Sequence, residues 1–175
     1  ELSQRLVELS TLNEIIQTLA TVKDLRQVLE LIVTKTSLVF EAVSCSIALL
    51  TVEHNALRVI VQHRREPDQV SVIGELIPLE DNAAFQGVVE QQQPLVISNA
   101  QHNPLIAAEH ELLRKQGIQC ILITPLLSRA QVLGVLRLSL DDPDRVFSPS
   151  EVRLAETIAG QVASTIENAR LFQEA

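Results

Sequence analysis

Tryptophan and tyrosine are absent from this 175-residue chain, and Phe40, Phe85, Phe147 and Phe172 are its only aromatic residues. Rows of aromatic side chains that could stack single-stranded nucleic acid are therefore excluded, and the core must be built from Leu, Val and Ile. Cysteine is scarce too. Cys45 and Cys120 each lie in an apolar stretch; they form no disulfide framework and read as small core hydrophobes of a reducing, cytoplasmic compartment. The glycines stand alone at positions 74, 87, 117, 134 and 160, so no phosphate-cradling loop and no Gly-x-Ser-x-Gly nucleophile elbow exists. Long apolar runs are missing: the longest is Val132–Leu136, counting Gly134, whereas a membrane-spanning helix needs about 20 such residues. Positive charge is in deficit, with 14 Lys and Arg against 22 Asp and Glu for a net charge of −8, which excludes the basic footprint of a nucleic-acid binder. Methionine is absent and the chain begins at Glu1, which reads as a segment of a longer protein.

What is present is a chain that is 46% apolar, enough to bury the core of one domain. Residues 1–22 form an expected N-terminal helix, with Leu2, Leu6, Leu9, Asn13, Ile16 and Ala20 at heptad spacing and one polar residue in the seam. It lies either on its own domain or along a partner chain as a coiled-coil strut. The domain proper covers 23–175. A second helix is expected over Asp24–Phe40, capped by Asp24, with Leu25, Val28, Leu29, Ile32, Thr36 and Val39 on one face. Val43–Val52 and Ala56–His63 read as a hairpin, the first strand small on one face (Ser44, Ser46, Ala48) and apolar on the other (Cys45, Ile47, Leu49), the second with Leu57, Val59 and Val61 together. Glu75–Leu79 is a short strand whose Pro78 suits an edge. A short helix over Ala83–Gln92, capped by Asp81 and interrupted by Gly87, leads to an extended piece at Pro94–Ile97. A helix over Leu105–Gln116 then ends at Gly117. Ile118–Leu127 and Val132–Leu140 form a second hairpin at the centre of the sheet. Ser148-Pro149-Ser150-Glu151 is a capping box opening a long last helix, with Val152, Ala155, Ala159, Val162, Ile166 and Ala169 along one stripe. This order gives an antiparallel α+β domain.

No catalytic constellation and no zinc-ligand spacing is found. Asp141, Asp142 and Asp144 lack the glycine turn and distal glutamate of a calcium loop and read as a solvated acidic loop. His54 and His63 sit at a turn and a strand end. His102 and His110 lie on segments that would cover one sheet face. Arg137 is the odd residue: Leu136, Leu138 and Leu140 take one face of its strand, and Val135, Arg137 and Ser139 take the other. An arginine there either meets water or lines a polar cavity, and the small face of the first strand agrees with a cavity.

The chain resembles a GAF domain, the small-molecule sensing module of signalling proteins. The resemblance runs from Leu25 to Leu171. It rests on the ordered set Val43–Leu49, Gly87-Val88-Val89-Glu90, Pro94–Ile97 with Asn99, Pro125-Leu126, Leu133-Gly134-Val135-Leu136 and Phe147-Ser148. Residues 166–172 look like the exit helix of GAF domains in bacterial sensor histidine kinases. The resemblance implies a six-stranded antiparallel sheet, long terminal helices on one face, and short helices over a ligand pocket on the other. It also implies an output domain in the same chain, a histidine kinase of a two-component system. The cyclic-nucleotide constellation of some GAF domains is absent. Ala108 and Glu109 stand where bilin-binding members carry a Cys-His pair, so no covalent bilin and no other cofactor is expected. Cys45 and Cys120 lie in strands, unlike the loop cysteines of the GAF sulfoxide reductases. Strand alternation and this layout place Ser46, Ala48, Ile121, Ile123, Val135, Arg137 and Ser139 on the pocket floor, with Phe85, Val89, His102 and His110 above. Arg137 keeps its charge and needs an anion, from Glu90, Glu109 or Glu111 or from a small ligand. The expected partners are that unidentified ligand, the output domain and a second copy, in a parallel homodimer through Leu2, Leu6, Leu9, Asn13 and Ile16 and through Val152, Ala155, Ala159, Val162, Ile166 and Ala169. The competing function is a structural spacer and dimerisation domain with a filled pocket.

Overall fold

The computed structural model describes residues 5, 6, 8 and 24–174. After α1 (Leu25–Phe40) come β1 (Ser44–Leu50), β2 (Ala56–Arg64), β3 (Leu76–Pro78), α2 (Ala83–Gln91) and β4 (Leu95–Ile97). A 3-10 segment (Pro104–Glu109), α3 (His110–Gln116), β5 (Cys120–Ser128), β6 (Gln131–Leu140) and α4 (Pro149–Glu174) complete the chain. The strands form one six-stranded sheet in the order β3-β2-β1-β6-β5-β4, with every neighbouring pair antiparallel. This is the α+β architecture the resemblance implies. Pro78 sits on the edge strand, where a missing N–H costs no ladder bond.

Side-chain alternation divides the sheet into two apolar faces. Cys45, Ile47, Leu122, Leu136, Leu138 and Leu140 point to one face and pack against Leu29, Ile32 and Val33 of α1 and Leu154, Ile158, Val162 and Ile166 of α4. Phe40 and Phe147 meet there at 6.2 Å between ring centroids. The other face buries Ala48, Val59, Ile121, Ile123 and Val135 under Phe85 and Val88 of α2, Ile106, Leu113 and Ile118. Two departures come from local geometry. Leu57, Val59 and Val61 do not share a face: Ile47 pairs with Val61 but Ala48 with Val59. The extra residue, Ile60, makes a bulge that turns Val61 into the helix-side core and leaves Leu57 and Val59 on the opposite face. The stripe Ala155, Ala159, Val162, Ile166 and Ala169, expected at a dimer interface, is buried within the single chain, with Val152 packed beside it. These side chains cover the domain's own sheet and are not open to a partner. Leu6 is 39% exposed, while Leu2, Leu9, Asn13, Ile16 and the rest of the expected 1–22 helix apart from residues 5 and 8 lie outside the described residues.

The punctuation is partly as expected. The capping box forms: the Ser148 N–H donates to Glu151 Oε1 at 3.0 Å and the Glu151 N–H to Ser148 Oγ at 3.2 Å. Gly117 ends α3 at φ 69°. Arg129 and Ala130 close the β5–β6 hairpin at φ 53° and 63°, a two-residue turn whose twist matches the strands. Elsewhere the caps differ. Asp24 holds the N-cap position of α1 without a side-chain cap bond. Asn82, not Asp81, precedes α2, and its Nδ2 donates backward to Pro78 O at 2.6 Å. Gly87 leaves α2 unbroken. The single helix expected over Leu105–Gln116 is a 3-10 segment followed by α3, with Glu109 at the N-cap of α3, and inside the 3-10 segment the buried Ile106 leaves helical geometry at φ −128°, ψ 34°. Among the described residues no helix is long and apolar enough to cross a membrane.

Candidate ligand pocket

Three cross-strand rows pave a cavity of about 280 Å³ on the face away from the terminal helices. Val59, Ala48 and Val135 pair across β2, β1 and β6; Gln62, Ser46 and Arg137 form the next row, and Ser44 pairs with Ser139 beyond it. The floor therefore grades from apolar to polar along the strands. Asn82 before α2, Phe85 of α2 and Ala108, Glu109, Leu112 and Gln116 of the covering segments face it, and Val72, Glu75 and Leu76–Pro78 wall one side.

Arg137 is the centre of the polar end. Its Nη1 lies 2.8 Å from Oε1 and 2.9 Å from Oε2 of Glu109, with side chains 17% and 20% exposed. Its guanidinium stands 5.9 Å from the centroid of the Phe85 ring, a cation–π distance. Of the three carboxylates the sequence offers, Glu109 is the partner; Glu90 accepts from Gln86 and Glu111 pairs with Lys115. Ser139 Oγ is buried with no hydrogen-bond partner. Gln62 Oε1 accepts from the Val72 N–H at 3.1 Å, which leaves its amide N–H groups as donors.

Ser46, Ala48, Phe85, Val135, Arg137 and Ser139 line the cavity as the sequence indicates. Ile121 and Ile123 point to the same face but lie sealed beneath the cluster that includes Val88, Ile97 and Ile106. Val89 packs against that cluster. His102 is exposed, and His110 Nε2 lies 2.7 Å from Asn103 O. None of these five lines the cavity, because the short helices fill the β4–β5 side of the face and leave the gap over β1, β2 and β6. Sequence reasoning missed Val59, Gln62, Glu75, Leu112 and Gln116. The signal that finds the first two is cross-strand register, which single-strand alternation does not contain.

Neither thiol serves the site. Burial pushes Cys45 and Cys120 up, and both lie in the helix-side core. Among the described residues no group of three or more His, Cys, Asp or Glu side chains is placed to hold a metal ion. Asp141 of the acidic loop is paired with Arg65 at 2.5 Å, and that guanidinium holds its carboxyl below the ordinary value.

A six-stranded antiparallel sheet with two helices on one face and a covered cavity on the other is the architecture of a class of small α+β domains. The model of the GAF domain family matches residues 24–166, and the chain belongs to that family. Over 97 residues it is 31% identical to the formate hydrogenlyase transcriptional activator of Salmonella typhimurium, a match spanning 54% of this chain and 14% of that protein. The GAF domain of a phosphoenolpyruvate-protein phosphotransferase from Coxiella burnetii superposes with a TM-score of 0.82 at 18% identity, covering 100% of this chain and 99% of the other. The phycocyanobilin-bound GAF domain of a cyanobacterial phytochrome gives a TM-score of 0.77 at 16% identity, covering 100% and 98%. The last two likenesses are of fold.

Proposed function

We propose that this GAF domain is a cytoplasmic sensor module whose cavity takes a small molecule and whose terminal helices pass the change to an output domain of the parent protein. The observation that carries this reading is a preformed cavity floored by a buried, unpaired hydroxyl, Ser139 Oγ, beside an arginine. Buried polar groups are ordinarily satisfied, and a concave site with few placed polar groups suits ligand binding. Because α1 and α4 cover the opposite face of the same strands, a change in β1 or β6 is transmitted through the sheet to those helices. The exit-helix resemblance favours a histidine kinase as output. We also propose that the domain is no enzyme itself and assembles as a homodimer.

The test is a thermal-shift screen of a metabolite panel on the wild-type chain and on Ser46→Phe, which fills the floor. A ligand at a hundredfold its Kd stabilises a fold by about 2.7 kcal/mol, so hits should shift wild type and leave the filled variant unmoved. A panel that shifts neither defeats the reading. The second reading, a spacer domain closed by its own side chains, is favoured by the Glu109–Arg137 pair and predicts that empty result. Covalent pigment is a separate expectation. Ala108 lines the cavity where attachment would need a thiol, so co-expression with a bilin pathway should give no zinc-fluorescent band on denaturing electrophoresis; a labelled band refutes it.

A further inference from the structure

The unspent donors of the cavity define what its polar end receives. Glu109 places both oxygens on one nitrogen of Arg137, Nη1. A guanidinium holds a carboxylate best through two parallel N–H bonds from two nitrogens, and among the described residues the hydrogen bond and ion pair of Arg137 both run from Nη1, not from Nε or Nη2. On the same strand face, Ser139 Oγ is buried and unpaired. Across β1 lie the Ser46 hydroxyl and the free amide N–H of Gln62, whose oxygen is already engaged by Val72. This end therefore presents hydrogen-bond donors, while the row Val59, Ala48 and Val135 makes the other end of the floor apolar, and Phe85 lies over the guanidinium between them. Charge narrows the class. Glu75 and Glu109 set two negative charges against one positive in the lining, which disfavours a dianion such as a phosphate ester. A monoanion exchanged for Glu109 leaves the balance at Arg137 unchanged. Glu109 has somewhere to go: it is the last residue of the 3-10 segment, beyond the break at Ile106, and its side chain is already 20% exposed.

We infer that the ligand is a small apolar monocarboxylate whose carboxylate takes Arg137 from Glu109 and accepts the Ser139 hydroxyl, the Glu109–Arg137 pair being the latch of the unliganded state. The inference rests on reading the cavity as a ligand pocket. Isothermal titration of the chain with isobutyrate, isovalerate, hexanoate, benzoate and phenylacetate, each against its primary amide, tests it, with phenyl phosphate as the dianion. At least one carboxylate should bind wild type, its amide and the phosphate about tenfold more weakly or not at all. Glu109→Gln should tighten that carboxylate about three- to tenfold by removing the competitor, and Ser139→Ala should weaken it. The comparison of carboxylate with amide on wild type holds even if a variant folds poorly. Amides binding as well as carboxylates, or Glu109→Gln weakening the carboxylate, overturns the latch. If neutral or phosphorylated compounds from the metabolite panel shift wild type while every carboxylate fails, the ligand class is wrong and the sensor reading stands. If nothing in either set binds, both fall.

Discussion

Gly134 lies opposite Leu49 where β6 runs against β1. A Cβ built on it would stand 2.0 Å from Ala48 O and 2.8 Å from Leu49 Cα. Those atoms are backbone of a central strand and have no rotamer to yield, so Gly134→Ala should cost at least about 2 kcal/mol, read as a drop in the urea midpoint with unchanged slope. A loss under about 0.5 kcal/mol, the range of an ordinary surface change, would show that the strands separate freely there. Thr124 has the opposite problem. It lies on the helix-side face of β5 between Leu122 and Leu126, 1% exposed, and its Oγ1 has no partner. Thr124→Val keeps the β-branched shape and removes an unsatisfied hydroxyl, so it should stabilise the chain by about 1 kcal/mol or more. Destabilisation on denaturant melts would mean that the hydroxyl is satisfied in solution. The odd place of Arg137 was legible from alternation alone, because a charge between Val135 and Ser139 breaks the character of a central strand. Its partner was not, since Glu90, Glu109 and Glu111 all sit on covering segments, and the sequence does not say which of them reaches the floor, where Glu109 lies.

The start of α4 shows what a local motif can specify. Ser148 and Glu151 satisfy each other's backbone N–H groups, and this was readable because the interaction spans three residues. The structure adds a long-range part. Arg145 Nη1 donates to Phe40 O at 2.5 Å and Nη2 to Glu151 Oε2 at 2.6 Å, so the end of α1, the β6–α4 loop and the first turn of α4 are tied together. Ser148→Ala should cost about 1 kcal/mol. Burial pushes the Glu151 carboxyl up, but the Ser148 N–H and the Arg145 guanidinium outweigh it and hold the group below its ordinary value of 4.5. A carboxyl depressed in the folded state contributes stability above that ordinary value and loses it as pH falls through the folded one. The melting temperature of wild type should therefore decline on acidification below about pH 4.5. Glu151→Gln should start lower at neutral pH and decline less; parallel curves for the two proteins would remove Glu151 from the acid response. The β2 bulge at Ile60 was not legible, because Leu57, Val59 and Val61 alternate perfectly in sequence and only pairing with β1 shows that one residue is extra. The caps of α1 and α2 were misread for a related reason: Asp24 and Asp81 are good cap residues, but no side-chain cap bond forms at either helix.

At the scale of the molecule, the long heptad-like stripe on α4 could serve either the domain or a partner, and the sheet claims it. Ala155, Ala159, Val162 and Ala163 are each no more than 1% exposed in the single chain, because a sheet needs one face covered along its whole width and α4 lies over β5 and β6. Periodicity announced that α4 has an apolar stripe; it could not announce what the stripe meets. A homodimer through α4 must therefore use its outward face, where Arg153, Glu156, Thr157, Gly160, Ser164 and Asn168 are exposed. The two faces can be separated by neighbouring residues. Ala159→Leu overpacks the buried side and should destabilise the chain by about 1–3 kcal/mol. A Cβ at Gly160 meets nothing within 4 Å, and replacing a helical glycine relieves about 0.5–1 kcal/mol of backbone entropy cost. Gly160→Arg should thus melt no lower than wild type. If α4 meets α4 across a dimer axis, the same substitution sets two guanidinium groups against each other, and light scattering should show a dimer in wild type and a monomer in Gly160→Arg. A wild-type chain that scatters as a monomer at high micromolar concentration sinks the dimer outright. A Gly160→Arg chain that stays dimeric moves the interface off this face of α4, toward the surface of α1 where Leu31 and Leu38 stand 42% and 63% exposed.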